Sequence, residues 1–207
     1  MRTRFLLLLC GVLLVIGVAC APRQAEPEYR TSTTIKDIME HIVDPSADYI
    51  WQSVSTEETL KGTIERAPKT DADWAEERSR ALILMEASNL LQMPGRQVAP
   101  KGDKSEHPGI EESPEAIQDL IDHDRASWIK YAHGLYDSAE VLYKAAQAKD
   151  AAAIENAGEG LDSACENCHK NYWYPHQYDY LKKTGGSMKP VVIGTKEGPK
   201  KESKETK

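Results

Sequence analysis

The sequence predicts an all-α fold, a four-helix bundle, on the strength of three observations. Four stretches place apolar residues at the three- and four-residue spacings that give a helix one apolar face. No stretch shows the alternation of apolar and polar residues typical of a half-buried strand, so no strand is predicted. The last of the four helices carries a Cys-x-x-Cys-His motif at Cys165, Cys168 and His169. The bundle is assigned to residues 32–181.

The chain begins with a segment typical of an export signal. Two arginines precede an apolar run over 5–18 that is too short to cross a bilayer comfortably. Residues 1–19 are therefore predicted to be a signal peptide, and the small residues before Cys20 favour the lipoprotein type with a lipidated Cys20. An ordinary signal peptide, with Cys20 removed or left as a free thiol, is the alternative. The polar, proline-containing residues 20–31 indicate a tether.

The first helix is predicted over about 33–55, with Ser32 or Thr33 as its N-cap. Pro45 has no backbone N–H to donate, so the helix should kink or break there. Its apolar stripe comprises Ile35, Ile38, Met39, Ile42 and Val43, followed by Ala47, Ile50, Trp51 and Val54.

A connection over 56–71 leads to the second helix, which Asp71 or Asp73 is predicted to cap. Pro94-Gly95 is predicted to end that helix, because proline cannot continue it. The loop that follows, over 94–113, is longer than ordinary loops, and such a length suits a crossing over the end of a bundle.

The third helix is predicted as one long helix that Ser113 caps and that frays near Lys149-Asp150. The fourth begins around Asp150 and ends at Tyr172-Trp173-Tyr174, before a proline. The residues over 182–207 are rich in glycine, lysine and glutamate and are predicted to be a disordered basic tail.

The Cys-x-x-Cys-His motif is the attachment signature for a c-type haem. Positions i and i+3 share a helix face, so the thiols of Cys165 and Cys168 can reach two vinyl groups along one edge of a porphyrin. His169 lies on the same face and is placed to be the axial ligand of the iron. The sequence therefore predicts one covalently bound haem c. Two glycines of this helix, Gly158 and Gly160, predict the close approach of another helix or of a flat macrocycle.

Two other kinds of site use cysteines at this spacing. The first is a redox dithiol, although the histidine and the lack of a strand-helix-strand pattern speak against it. The second is a zinc site, in which the adjacent Cys168 and His169 would crowd one metal. Its four ligands would be Cys165, Cys168, His169 and His176.

Charge is distributed unevenly along the 207 residues, whose formal net charge is −7. Residues 20–181 sum to −14, whereas the stretch 182–207 carries +5. An acidic body does not suggest a nucleic-acid partner. It suggests a carrier that meets basic patches on other proteins, and solubility alone is the alternative explanation.

The order of these elements resembles the cytochrome c′ (class II cytochrome c) family, which places its haem motif in the last of four helices. The stretches IKDIMEHIVDPSADYIW and DADWAEERSRALILMEASNLLQMPGR are similar to a subgroup of bacterial exported haem proteins. The resemblance covers roughly 33–176. The long loop and the basic tail depart from the family pattern and leave the choice of partner open.

The resemblance implies that the sixth iron position decides function. In low-spin members a methionine on the first helix coordinates the iron, and here that residue is Met39. Core filling by Met39 is the alternative. Met85, Met93 and Met188 are weaker candidates. Two arginines, Arg78 and Arg96, could pair with haem propionates, with solvated surface charges as the alternative for each.

The resulting expectation is an exported monohaem electron carrier, with a gas-binding protein for nitric oxide or carbon monoxide as the alternative. An enzyme is not expected, because His41 lies on the wrong side of the first helix to serve as a distal acid or base. The expected partners are redox proteins, membrane-bound ones included, and no nucleic acid. The expected location is a bacterial periplasm or cell envelope, with anchoring through Cys20. Relatives often dimerise through the first two helices, so a homodimer is a further expectation.

Overall fold

The structure, a computed structural model, describes residues 29–177 together with 179 and 182. The predicted signal peptide, Cys20, nearly all of the tether and nearly all of the basic tail, including Met188, lie outside the described residues. The chain divides into two units, residues 1–30 and 31–207, and all the elements below belong to the second. The helices and strands are α1 (Ile35–Ile38), a π-helical turn (Met39–Val43), α2 (Asp44–Ser53), β1 (Ser55–Thr59), β2 (Gly62–Arg66), α3 (Asp71–Leu91), α4 (Pro114–His123), α5 (Arg125–Ala148) and α6 (Ala151–Tyr172).

The first helical segment runs without interruption from α1 through the π turn into α2. The prediction of one helical segment that continues past Pro45 is confirmed, and the proline does not break it. The preceding turn is closed by a bond from the N–H of Asp44 to the carbonyl of Met39, five residues back. The N-cap is Thr34, which forms a capping box with Asp37, rather than Ser32 or Thr33.

A β-hairpin replaces the connecting loop that the sequence predicted. Strands β1 and β2 pair antiparallel, with Ser55 opposite Arg66 and Thr59 opposite Gly62. The prediction of no strand is wrong because these strands are largely exposed on both faces, so they lack the alternation that marks a half-buried strand. Cross-strand contacts between exposed side chains support the pairing, among them Arg66 to Glu57 at 3.1 Å.

The second predicted helix ends where the sequence predicted, but its N-cap is a different residue. Thr70 is the N-cap, and Asp73 completes a capping box with it, so neither Asp71 nor Asp73 is the cap itself. The helix ends at Leu91, just before Pro94-Gly95, as predicted.

The long loop is tied to both ends of the chain's helical part. The backbone N–H groups of Ile35 and Lys36 donate to carbonyls of the loop at 2.9 Å each, which satisfies donors that a helix start leaves free. Near the other end of the loop, the N–H of Glu112 donates to the carbonyl of Trp173 at 2.8 Å. The loop therefore joins the start of α1 to the end of α6.

The predicted third helix is two helices that meet at Asp124. This residue leaves helical geometry, with φ −130° and ψ 68°, and its carboxylate accepts bonds from the N–H and hydroxyl of Ser127. The single-helix prediction is wrong because Asp124 sits on the apolar seam yet acts as an N-cap for α5. Ser113 caps α4 as predicted, and Asp150, around which the fourth helix was expected to begin, is the N-cap of α6.

Packing between the helices buries one continuous core. Helix α5 packs against α3 and α6, and α2 packs against α3 and α6. The most buried large side chains include Ile38, Ile50, Leu84, Ile117, Ile121, Leu142, Ile154 and Leu161. The prediction of a mainly helical protein is confirmed. Within the described residues, no helix combines the length and the apolarity needed to cross a membrane.

The two glycines of α6 have different surroundings. A Cβ on Gly158 would lie 3.5 Å from the indole Cδ1 of Trp51, and the Trp51 Nε1–H donates to the Gly158 carbonyl at 3.2 Å. Close helix approach at Gly158 is therefore confirmed. Gly160 is exposed, and a Cβ there would meet no atom within 4 Å.

Replacing Gly160 by alanine is expected to raise the free energy of unfolding by about 0.5–1 kcal/mol, because glycine is costly in a helix interior and the added methyl group enters open space. Urea denaturation would measure this change. Gly134→Ala in α5 is a matched control with equally open surroundings, and it should give a similar gain. A loss of stability at Gly160 would show that its Cβ position is not free.

Candidate functional site

The Cys-x-x-Cys-His motif occupies the last two turns of α6. Cys165 and Cys168 are free thiols, half-buried, and packed against the edge of the hydrophobic core. His169 is half-buried next to them. The spacing predicted from the sequence is thus realised on a continuous helix, with all three side chains on neighbouring positions of one face.

Burial sets the protonation of these side chains. It raises the pKa of each thiol to about 12, with the nearby Asp44 carboxylate adding to the effect at Cys165. It lowers the pKa of His169, against an opposing influence of Glu166, so the imidazole is neutral. A neutral imidazole is the form that coordinates a metal. A reactive dithiol needs a lowered thiol pKa, so the redox-dithiol alternative gains no support.

The four residues predicted as zinc ligands are not brought together either. Among the residues that the structure describes, no group of three or more His, Cys, Asp or Glu side chains could hold a metal ion. His176 is exposed and lies 3.9 Å from Glu112. Of the proposed zinc ligands, only the three motif residues lie together on α6.

The chain folds back over the motif after α6 ends. The N–H groups of Trp173 and Tyr174 both donate to the carbonyl of His169, at 2.7 and 3.0 Å. The Tyr174 ring lies 6.1 Å from the His169 ring, centroid to centroid, and its hydroxyl donates to Glu166 Oε2. Tyr174 is only 5% exposed. Sequence reasoning missed this Tyr174–Glu166 pair, because nothing in the spacing of the two residues marks it.

The aromatic residue that ends α6 belongs to the core. Tyr172 packs edge-on against Trp128 at 5.1 Å and against Tyr131 at 5.8 Å between ring centroids. Trp128 Nε1–H donates to the carbonyl of Leu91 at 2.9 Å. These contacts fix the end of α6, and with it the motif, against α5 and α3.

Helix α2 lies alongside α6 in the opposite direction. Trp51 contacts Gly158, and Asp44 lies close enough to Cys165 to raise its pKa. Extended through the π turn, this alignment would bring Met39 to about the level of His169. Met39 is half-buried and packs against the edge of the core.

An open cleft of about 600 Å³ lies between α2 and α6, within the size range of cofactor sites. The end of the cleft nearest the motif is lined by Asp162 and Ser163, about one helical turn before Cys165. Gly158 contributes to the floor of the cleft, and this glycine was the only sequence signal for it. The complete lining consists of Ile50, Trp51, Val54, Ile154, Glu155, Gly158, Glu159, Asp162 and Ser163.

The weaker candidates for iron ligands and propionate partners have other roles. Met85 is buried in the core of α3. Arg96 is 5% exposed and donates to the carbonyls of Leu90 and Thr33 and to the sulfur of Met93, so its prediction as a solvated charge is wrong. Its side chain instead fastens the long loop to the start of the helical part. The remaining histidines are exposed, namely His41, His107, His123 and His133.

The half-buried thiols beside a neutral imidazole fit covalent haem chemistry, since a haem c needs two thiols and a nitrogen ligand on one helix face. Comparison with known proteins agrees with this fit. A sequence model of the family described as Cytochrome C' matches residues 55–173, more than half of the chain. No curated protein and no solved structure gives a significant match. The chain therefore belongs to the cytochrome c′ family, and this membership implies haem c as its cofactor.

Proposed function

We propose that this protein is an exported electron carrier with one haem c, in which His169 and Met39 hold the iron. The antiparallel packing of α2 on α6 is the observation that carries the proposal. If this alignment continues through the π turn, Met39 would lie at about the level of His169, and Met39 is half-buried at the edge of the core. A thioether opposite an imidazole favours ferrous iron and raises the reduction potential.

The protein's own contribution is to fix and shield the ligands. Cys165 and Cys168 would form the covalent bonds, and the burial that keeps His169 neutral keeps its nitrogen available to the iron. The bound haem supplies a ferric–ferrous couple that accepts and releases one electron. The packing of Tyr172 on Trp128 keeps the end of α6 in place during this exchange.

The proposed architecture is a four-helix bundle. Its four members are the α1–α2 segment, α3, the α4–α5 segment and α6. The contacts of α2 with α3, of α3 with α5, of α5 with α6 and of α6 with α2 support this arrangement.

An enzymatic role is not part of the proposal. Haem enzymes such as peroxidases need an acid–base side chain on the distal side of the iron. On the first helical segment, Met39 and Ile42 pack against the core, whereas His41 points to solvent. This arrangement offers apolar side chains and a sulfur ligand to the distal side, which suits electron transfer.

The proposed setting is the bacterial cell envelope, with Cys20 as a lipid anchor and redox proteins as partners. The charge of −14 over residues 20–181 favours partners with basic surfaces over nucleic acid. Anchoring would keep the carrier near membrane-bound electron donors and acceptors. Dimerisation through the first two helices follows from the family resemblance and stays a prediction.

Optical spectra of the holoprotein and of Met39→Ala test the proposal. We expect a low-spin ferric spectrum with the weak far-red sulfur-to-iron band in the wild type. The variant should lose that band, become high-spin and take up carbon monoxide after reduction, because it has no sixth ligand. Met85→Ala, which removes a methionine from the core, should keep the band. A high-spin wild type that binds carbon monoxide readily would contradict the carrier function and favour gas binding.

A further inference from the structure

The residue pair Glu166–Tyr174 lies beside the proposed iron ligand, with the Tyr174 ring 6.1 Å from the His169 ring. Glu166 is the second residue of the motif, one helical turn before His169, and is half-buried. Its Oε2 accepts the hydroxyl hydrogen of Tyr174, and its Oε1 lies 3.3 Å from the ammonium of Lys170. The carboxylate is therefore held between a buried phenol and a more exposed cation.

Tyr174 is fixed from several sides. Its backbone N–H donates to the His169 carbonyl at 3.0 Å, and its own carbonyl accepts from the N–H of Gln177 at 3.1 Å. The preceding residue, Trp173, is joined through its carbonyl to the end of the long loop at Glu112. The phenol thus reaches Glu166 from a rigid segment, and the same ring flanks the imidazole at 6.1 Å.

We infer that Tyr174 and Glu166 form a pair that positions His169 and sets the reduction potential of the iron it binds. The inference rests on the proposed function. A carboxylate beside the axial ligand favours the more positive ferric iron, and a hydrogen bond from a phenol spreads part of its negative charge. Tyr174 therefore acts on the iron through Glu166, while its ring limits rotation of the imidazole.

A double-mutant cycle on the holoprotein tests the pair. Tyr174→Phe keeps the ring and removes the hydroxyl, so the unscreened carboxylate should shift the equilibrium toward ferric iron by roughly three- to tenfold. Glu166→Gln removes the charge and should shift the equilibrium toward ferrous iron by a similar factor. In the Glu166→Gln background, adding Tyr174→Phe should change the potential little. Redox titration followed by absorbance measures all four proteins.

Two outcomes would overturn the inference. One is a Tyr174→Phe protein with the wild-type potential, and the other is a Tyr174→Phe shift of equal size with and without the Glu166 carboxylate. Unfolding in urea separates a merely structural role, because lost packing would lower stability without moving the potential. Tyr143→Phe, a half-buried tyrosine on α5, is a matched control that should leave the potential unchanged.

Failure of the proposed function would have a different signature. If Met39→Ala keeps the wild-type spectrum, the ligand assignment fails, yet the Glu166–Tyr174 cycle still reports on His169. A readout without iron is also accessible. In the apoprotein, the His169 ring signals in NMR should broaden or shift in Tyr174→Ala more than in Tyr174→Phe, because only alanine removes the flanking ring.

Discussion

Replacing Cys165 and Cys168 together by serine is expected to abolish covalent haem attachment in a host that matures c-type cytochromes. Serine hydroxyls do not form the thioether bonds that the motif is built for, and the described part of the chain holds no other free cysteine. Both thiols project from one face of α6 at the edge of the core, so each is placed for one bond. Mass spectrometry of the denatured protein, together with haem staining after gel electrophoresis, would measure the loss.

Three further variants separate the loss of attachment from a loss of folding. Single Cys165→Ser and Cys168→Ser proteins each keep one thiol and should retain attachment through that bond. Asn167→Ala, an exposed change within the motif, should behave as the wild type. Haem that stays covalently bound to the double-serine protein would contradict the assignment of the motif. An unstained wild type whose mass lacks the added group would contradict haem binding altogether.

Local chemistry explains why some ends of helices could be predicted from the sequence and others could not. Ser113 was identified as a cap because a short polar side chain directly before an apolar periodic stretch has few other roles. Asp124 has the same chemistry but lies inside a sustained apolar pattern, which hid its capping function. The periodicity on either side of it was nearly in phase, so the pattern alone predicted one helix.

The π turn shows a second limit. The buried residues before it, Ile35 and Ile38, are followed by Val43, a step of five residues that an uninterrupted α-helix would turn away from the core. Ile42 in the same stretch is also apolar, so the sequence is compatible with an ordinary four-residue step. Only the packed structure shows which of the two side chains is buried.

The residues of the site likewise fall into those that the sequence predicted and those that only the structure reveals. Cys165, Cys168 and His169 form a contiguous motif whose spacing encodes its geometry, so the sequence was sufficient to place them on one face. Glu166 and Tyr174 are brought together by the chain reversal after α6, a feature that depends on the loop contact at Glu112. Contacts of this kind depend on tertiary packing and leave no periodic signal.

The buried carboxyl group of Glu77 is expected to make the protein less stable as pH rises. Glu77 lies on α3, is 1% exposed, and its two carboxyl oxygens have no hydrogen-bond partner among the described residues. Burial raises the pKa of Glu77 above its ordinary 4.5, the nearby Ser53 hydroxyl opposes part of this shift, and the Glu76 and Asp73 carboxylates add to it. The folded state therefore binds a proton more tightly than the unfolded state does.

The sign of the effect follows from that difference in proton binding. Between pH 4.5 and the raised pKa of Glu77, the folded chain holds more protons than the unfolded chain, so the free energy of unfolding falls as pH rises through this interval. Above the raised pKa, the free energy of unfolding no longer falls on account of Glu77. Below pH 4.5 both states are protonated at this residue, and Glu77 then contributes no pH dependence.

Glu77→Met should therefore raise the free energy of unfolding at pH 7 by about 1–3 kcal/mol, the cost of a buried polar group without a partner. Glu77→Gln keeps the shape but cannot ionise, so its stability should lack the decline that the wild type shows as pH rises from 4.5 through the raised pKa of Glu77. Urea denaturation at a series of pH values measures both effects. Glu86→Gln, an exposed glutamate on the same helix, is the matched control and should keep the wild-type slope. A Glu77→Gln protein with the wild-type slope would show that this carboxyl is not the group responsible, because removing its ionisation would have left the linked protons unchanged.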